Sequence, residues 1–218
     1  MQVFEDRQDA GRQLARALAS DPDIASADRV VVLGIPRGGL PVGAEVARAL
    51  GAEFDVSVVR KLRAPQNPEL GYGAVGPDGR VQLDEQLVAR LGLTEEQVEA
   101  EIADRRAAVE RRLAMFREVI PPVDLTGATV IVVDDGIATG GTARQACAFA
   151  RAAGAARVIL AVPVAPPGAA EELADAADRV LVLSQPAEFL AVGQAYRDFS
   201  QLTDEAALAA VRSATAAS

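Results

Sequence analysis

Histidine and tryptophan are absent from the 218 residues, cysteine occurs once, at Cys147, and lysine once, at Lys61. With no histidine there is no His general base and no His-containing triad. With one thiol besides, zinc, haem and iron–sulfur centres lose their usual donors. A single cysteine cannot close an intrachain disulfide, which points to a reducing compartment. Long apolar runs are also missing. The longest, Val158 to Ala170, is interrupted by Pro163, Pro166 and Pro167 and is too short to cross a bilayer. The N-terminus carries Glu5, Asp6 and Asp9 in place of a signal peptide's apolar stretch. The expectation is therefore a cytoplasmic protein with no membrane partner.

What is present is an ordinary globular composition, 50% apolar and 24% charged. A chain of this length buries roughly 70% of its unfolded surface and needs no disulfide or metal to fold. The net charge of −9 opposes nonspecific nucleic-acid binding, so no nucleic-acid partner is expected. Charge is uneven, however. From Arg37 to Arg63 five bases face three acids, whereas the chain beyond Pro166 is strongly acidic. An anionic ligand belongs near the former stretch.

Apolar periodicity gives alternating elements. Asp6 and Asp9 precede an amphipathic helix from Ala10 to about Ser20. Val30 to Leu33 is a β-branched run typical of a strand buried on both faces. A helix over Leu40–Leu50, ended by Gly51, and a strand over Asp55–Val59 follow. Residues 60–82 hold three prolines and four glycines, which predicts a long loop in which Gly71–Leu83 forms a mobile hairpin. Thr94-Glu95-Glu96-Gln97 is a capping box for a helix running to about Glu118, with Val98, Ile102, Val109, Leu113 and Phe116 on one face. Strands at Val130–Val133, Arg157–Val162 and Val180–Leu183 alternate with helices at Ala143–Ala153 and Pro167–Ala177. This pattern predicts an α/β fold: an open, mainly parallel five-stranded sheet flanked by helices. The expected organisation is a core over 1–183, containing a flexible loop (62–82) and a helical insertion (84–120), followed by a C-terminal hood over 184–218.

The most informative string is Val130-Ile-Val-Val-Asp134-Asp135-Gly-Ile-Ala-Thr-Gly-Gly-Thr142. Ligands of open α/β sheets bind beyond the carboxyl ends of the strands, and two adjacent carboxylates stand at such an end here. Two charges ~5 Å apart repel by about 3 kcal/mol at an effective dielectric near 20, so a cation, hydroxyl or amide donor is expected beside them. The turn Thr139-Gly140-Gly141-Thr142 leads into a helix N-terminus, whose amides and dipole favour an anion. A diol-binding acidic pair beside a phosphate cradle describes a phosphorylated sugar. The string is neither a Walker A loop nor a dinucleotide fingerprint. The plainer alternative is a tight turn in which Asp135 merely caps the helix.

Asp134-Asp135-Gly-Ile-Ala-Thr-Gly-Gly-Thr142, preceded by a buried strand, resembles the signature of the type I phosphoribosyltransferases. The order and spacing of the core from about Arg29 to Leu183 are similar to that family too. The resemblance implies binding of 5-phosphoribosyl 1-pyrophosphate (PRPP) with Mg²⁺ carried mainly by the PRPP itself, without dedicated metal ligands. It implies that Asp134 and Asp135 hold the ribose hydroxyls and that Ala138, Thr139, Gly140, Gly141 and Thr142 hold the 5′-phosphate. Pro36-Arg37-Gly38-Gly39 looks like the family's pyrophosphate loop, which often contains a non-proline cis peptide. Arg60-Lys61, expected to close the second strand, falls where the family places a basic residue on the pyrophosphate. Residues 62–82 fall where the family has a flexible catalytic loop, and within them Glu69 is a candidate for proton transfer on the acceptor. A solvated loop glutamate is the plainer reading of Glu69. Ala138 stands where some purine-type members carry an acid, which argues against a 6-oxopurine enzyme of that kind. Phe189, Tyr196 and Phe199 are the hood aromatics, either stacking on a base or simply core.

The implied activity is phosphoribosyl transfer from PRPP to a nitrogenous base or related acceptor, with release of pyrophosphate, by a homo-oligomer, expected to be a dimer. The rival readings are a PRPP-binding regulator without turnover and a sugar-phosphate or nucleotide-binding module.

Overall fold

The computed structural model describes residues 3–215, apart from the side chains of Pro68 and Glu69. The chain begins with α1 (Arg7–Ala19), α2 (Pro22–Ala25), β1 (Val30–Gly34), α3 (Gly39–Leu50) and β2 (Glu53–Val56). It continues through β3 (Arg60–Ala64), β4 (Asn67–Val75), β5 (Val81–Leu83), α4 (Glu85–Arg90) and α5 (Glu95–Arg117). It ends with β6 (Thr129–Val133), α6 (Gly141–Ala152), β7 (Arg157–Val164), α7 (Ala169–Glu172), β8 (Arg179–Ser184), a 3-10 turn at Val192–Ala195 and α8 (Asp204–Thr215). Packing divides it into two compact units, Met1–Ser57 with Phe116–Ser218, and Val58–Met115.

The first unit is built on five parallel strands in the order β2-β1-β6-β7-β8. All five strands expected from the apolar runs are present. β6 lies at the centre with every residue buried, and its Val130, Ile131, Val132 and Val133 are completely so. Each such side chain contributes about 2 kcal/mol by leaving water. The chain moves from β1 to β2 in one direction across the sheet, and from β6 through β7 to β8 in the other. The order therefore reverses between β1 and β6. Right-handed crossovers then put α3 and α6 on opposite faces, and the carboxyl ends of β1 and β6 form the crevice where such sheets bind ligands.

The second strand stops earlier than expected, at Val56 and not Val59. β2 is an edge strand whose one partner, β1, ends at Gly34, so pairing runs out one bond later, at Ser57 N–H to Gly34 O (2.9 Å). Arg60 and Lys61 thus do not close β2; they open β3. The buried Asp55 anchors the strand's end. It accepts from Arg117 Nη1 and Nη2 at 2.5 and 3.1 Å, and from the Val56 and Val123 amides at 2.7 and 3.1 Å.

The second unit holds the antiparallel sheet β3-β4-β5, α4 and most of α5. Residues 62–82, expected as a long loop with a hairpin over Gly71–Leu83, are strand for most of their length. The alternation that makes β3 is plain in its burial: Leu62 and Ala64 are buried, Lys61 and Arg63 exposed. The expected hairpin exists as β4 and β5, turning at Gly76–Arg80. The capping box before α5 is also real: Gln97 N–H donates to Thr94 Oγ1 at 3.3 Å, and Thr94 N–H to Gln97 Oε1 at 3.0 Å.

One element differs further from expectation. The helix expected over Pro167–Ala177 is the single turn α7, because Arg144 Nη2 takes the Glu172 carbonyl (2.6 Å) and the chain continues in i+3 turns. Within the tail from Ser184, expected to pack on the core, α8 packs against α3 and β2.

Candidate functional site

The site grows from the two strand ends at the sheet's reversal. Beyond β1 the chain passes Pro36-Arg37, joined by a cis peptide bond, and enters α3 at Gly39. Beyond β6 it passes Asp134-Asp135 and enters α6 at Gly141. The two turns are sewn together by Ile35 N–H donating to Val133 O at 2.9 Å. They touch at Gly38. A Cβ on Gly38 would stand 2.0 Å from Asp135 Oδ2, and one on Gly39 would stand 2.5 Å from Val133 O. Glycine is required at both positions by this approach. The Gly39 N–H is already committed to Ile35 O at 2.9 Å.

The acidic pair is balanced from inside and from outside the motif. Asp135 N–H donates to Asp134 Oδ1 at 2.8 Å. Burial first, then the charge of Asp135, holds the Asp134 carboxyl well above the ordinary aspartate range. Asp135 is paired with Arg7, whose Nε lies 2.8 Å from Oδ2, with side chains only 11% and 14% exposed. Arg7 is itself fixed: Nη1 donates to Ser200 O at 3.0 Å, and the guanidinium lies 4.0 Å over the Phe199 ring. Of the partners expected beside the acids, a cation, hydroxyl or amide donor, the cation comes from the first turn of α1. Tyr196 closes the shell, donating its hydroxyl to Asp135 O at 2.5 Å, and burial holds its own pKa far above the usual phenol value.

The turn after the acids is an anion cradle. A cleft of about 160 Å³ is lined by Asp134 and residues 136–143. Gly140 takes φ 72, a left-handed conformation that costs a side-chain-bearing residue about 1 kcal/mol, and α6 has no side-chain cap there. The first amides of a 12-residue helix thus face the cleft without a side-chain acceptor. Ala138, Thr139 and Thr142 are exposed around it.

Among the expected site residues, the first unit thus gathers Arg37, Gly38, Gly39, Asp134, Asp135 and 138–142. Arg37 is half-exposed, with Nη1 3.6 Å from Asp204 Oδ1 at the start of α8. Arg60 and Lys61 belong to the other unit, where the Lys61 stem lies against Gly71. The side chain of Glu69 lies outside the described residues. Phe189, Tyr196 and Phe199 pack with Phe4 in one apolar cluster, so they serve as core. Sequence reasoning missed Arg7, Asp204 and the hydroxyl bond of Tyr196. No local pattern marks any of them, since each meets the site across more than 60 residues of chain.

The phosphoribosyl transferase domain family matches residues 4–196. The chain belongs to that family. Two Mycobacterium tuberculosis relatives, from strains H37Rv and CDC 1551, are named "Putative phosphoribosyl transferase"; each is 47% identical over 209 residues, or 96% of this chain. The chain spans 46% of the length of these curated relatives. The crystal structure of TT1426 from Thermus thermophilus superimposes with a TM-score of 0.86 at 42% identity, covering 96% of this chain and 98% of that one.

Among the described residues of this phosphoribosyl transferase domain, no three acidic, cysteine or histidine side chains gather as a metal cage. Among the same residues no helix is long and apolar enough to cross a membrane.

Proposed function

We propose that the chain binds PRPP together with Mg²⁺ and transfers its phosphoribosyl group to a nitrogenous base, releasing pyrophosphate. The observation that carries this reading is the contact at Gly38. It brings a glycine-rich, arginine-bearing turn against Asp135, just ahead of an amide-rich cradle. In this reading one sugar phosphate spans both turns.

In this reading Asp134 and Asp135 accept from the ribose hydroxyls. The 138–142 turn holds the 5′-phosphate through its amides and threonine hydroxyls. Arg37, with Gly38 and Gly39, takes the pyrophosphate. Magnesium dehydrates reluctantly and binds through one or two carboxylates plus ligand phosphates, so the pyrophosphate of PRPP would carry it into the site. Its contribution is to neutralise the departing pyrophosphate. The C1–O bond to pyrophosphate breaks, a C1–N bond to the acceptor forms, and the acceptor nitrogen loses a proton, with Glu69 the candidate to receive it. The acidic pair stands where positive charge develops on the sugar, so catalysis rests on positioning and electrostatics.

The test incubates the protein with labelled PRPP, Mg²⁺ and a panel of purine and pyrimidine bases. Pyrophosphate release with one base supports transfer. PRPP binding without release with any base identifies a regulator instead. Competition by ribose 5-phosphate in the absence of PRPP binding overturns the reading.

A further inference from the structure

In a chain of net charge −9, the Val58–Met115 unit gathers positive charge at one place. Arg60 opens β3 half-buried, and its Nη1 donates to the neighbouring Val59 carbonyl at 3.2 Å. No carboxylate among the described residues pairs with Arg60 or with the exposed Arg63. Burial lowers the Arg60 pKa, and the charges of Arg112, Arg105 and Arg63 lower it further, in that order. Like charges held this close cost free energy unless something offsets them.

Glu101 organises the cluster. Glu101 Oε1 accepts from the Arg63 backbone N–H at 3.1 Å and from Arg105 Nε at 2.8 Å. This ties α5 to β3 and fixes the Arg105 guanidinium. Arg105 Nη1 also stands 3.5 Å from Asp104 Oδ2. Arg63, Arg105 and Glu101 then line a cleft of about 540 Å³ with Tyr72, Gln97 and Leu93. That volume is within the range of small-molecule sites, roughly 300–1,000 Å³. Tyr72 is only 1% exposed, so its ring belongs to the unit's core and its placement is rigid. Gln97 spends its carbonyl oxygen on the Thr94 amide at 3.0 Å, which leaves its amide N–H groups as donors.

We propose that this cleft binds a nucleotide-sized small molecule carrying a phosphate monoester, gripped by Arg63 and Arg105. A phosphate dianion matches the fork of a guanidinium and would relieve the crowding around Arg60. The Glu101 carboxylate already receives two donors, and among the residues that line the cleft Arg63 and Arg105 outweigh it in charge. Leu93 and Pro65 supply an apolar wall on which a ring can lie, and Gln97 offers donors to its edge. The proposal does not depend on the PRPP reading, because every residue in it lies outside the first unit.

The experiment is a titration of the isotopically labelled full chain, followed by amide NMR, with adenosine 5′-monophosphate, inorganic phosphate and adenosine as separate probes. The expected result is that adenosine 5′-monophosphate shifts amides within 60–65 and 93–105 and binds more tightly than either fragment. Arg63→Gln and Arg105→Gln each weaken it about tenfold or more, as loss of a charge-assisted bond requires. Asp135→Asn leaves these shifts unchanged, whatever becomes of PRPP binding. Arg63 is exposed and unpaired among the described residues, so Arg63→Gln decides the question if Arg105→Gln fails to fold. Shifts confined to 136–143, or unaltered binding by Arg63→Gln, overturn the proposal. Equal affinity for inorganic phosphate overturns the nucleotide size, and equal affinity for adenosine overturns the phosphate.

Discussion

Arg7 and Asp135, 128 residues apart in sequence, meet at 2.8 Å in a nearly buried ion pair. The pair answers an electrostatic problem posed by the motif itself, since Asp134 and Asp135 are neighbours at a strand end. It also joins the first turn of α1 to the strand tip and, through Ser200 O, to the segment before α8.

Removing one partner of such a pair leaves the other charge unbalanced. Arg7→Met, which keeps an apolar stem over Phe199, should cost about 3 kcal/mol and lower Tm by roughly 6–12 °C. Asp135→Asn added to Arg7→Met should restore part of that loss, because no bare carboxylate then faces Asp134. A double-mutant cycle by urea denaturation checks this, with a coupling of about 1–3 kcal/mol expected. Additive effects would show that the two side chains do not interact.

The raised Asp134 pKa makes stability depend on pH in a stated direction. In the unfolded chain an aspartate ionises near the ordinary value, about 3.9. In the folded chain Asp134 keeps its proton to a higher pH, through burial and the Asp135 charge. Between those two values the native state binds more protons, so this group's contribution to stability falls as pH rises. Asp134→Asn removes the titration while preserving an oxygen for the Asp135 amide. Its stability relative to the parent protein should therefore increase from about pH 4 up to the pH at which the folded Asp134 ionises, and level off above that. Denaturation curves collected across that interval measure it, and a difference that stays flat would contradict the assignment.

The parts of this structure that are legible in the sequence are those fixed by local pattern. Val130 to Val133 reads as a buried strand because β-branched residues with no polar interruption have no other stable place. Thr94 and Gln97 announce the start of α5 because their side chains bond within four residues. The acidic pair and cradle are contiguous, so one string places the first-unit site. β3 is harder to see. Its alternation, Lys61 and Arg63 outside against Leu62 and Ala64 inside, spans five residues and is followed by Pro65, so the prolines and glycines of the region mask it. Gly71 and Gly73 carry the composition of a loop, yet a Cβ at either would meet the Lys61 stem or the Gln82 carbonyl at 2.4 and 2.3 Å. They are strand positions under close neighbours. Arg7 and the Tyr196 hydroxyl leave no trace in the sequence because their partners are set by the fold alone.

The contact at Gly38 can be tested by adding one methyl group. In Gly38→Ala the new Cβ would fall 2.0 Å from Asp135 Oδ2, so either the turn or the carboxylate must shift. Overpacking of this kind costs about 1–3 kcal/mol. Asp135→Ala removes the obstructing atoms at the cost of its pair with Arg7, so in that background the further change Gly38→Ala should cost much less than it does in the parent. Thermal melts of the parent, the two single variants and the double variant decide the matter. If Gly38→Ala melts like its parent, the two turns are not in contact in solution.

Cys147 supplies a probe that reads ligand binding without any turnover. It sits inside α6, six residues beyond Gly141, completely buried. Burial pushes its thiol up to about 12, so at neutral pH it is both inaccessible and protonated. As the one cysteine in the chain, it should resist a thiol reagent in the native protein and react at once in denaturant. Slow native labelling then measures the fraction of time α6 is open. A ligand that binds only the folded form lowers that fraction by the factor 1 + [L]/Kd, about 100-fold at one hundred times Kd. PRPP with Mg²⁺ should therefore slow labelling in proportion to its concentration, and Asp135→Asn should blunt the effect. A labelling rate indifferent to PRPP would remove the sugar phosphate from the cradle at the head of α6, whatever bases were tried.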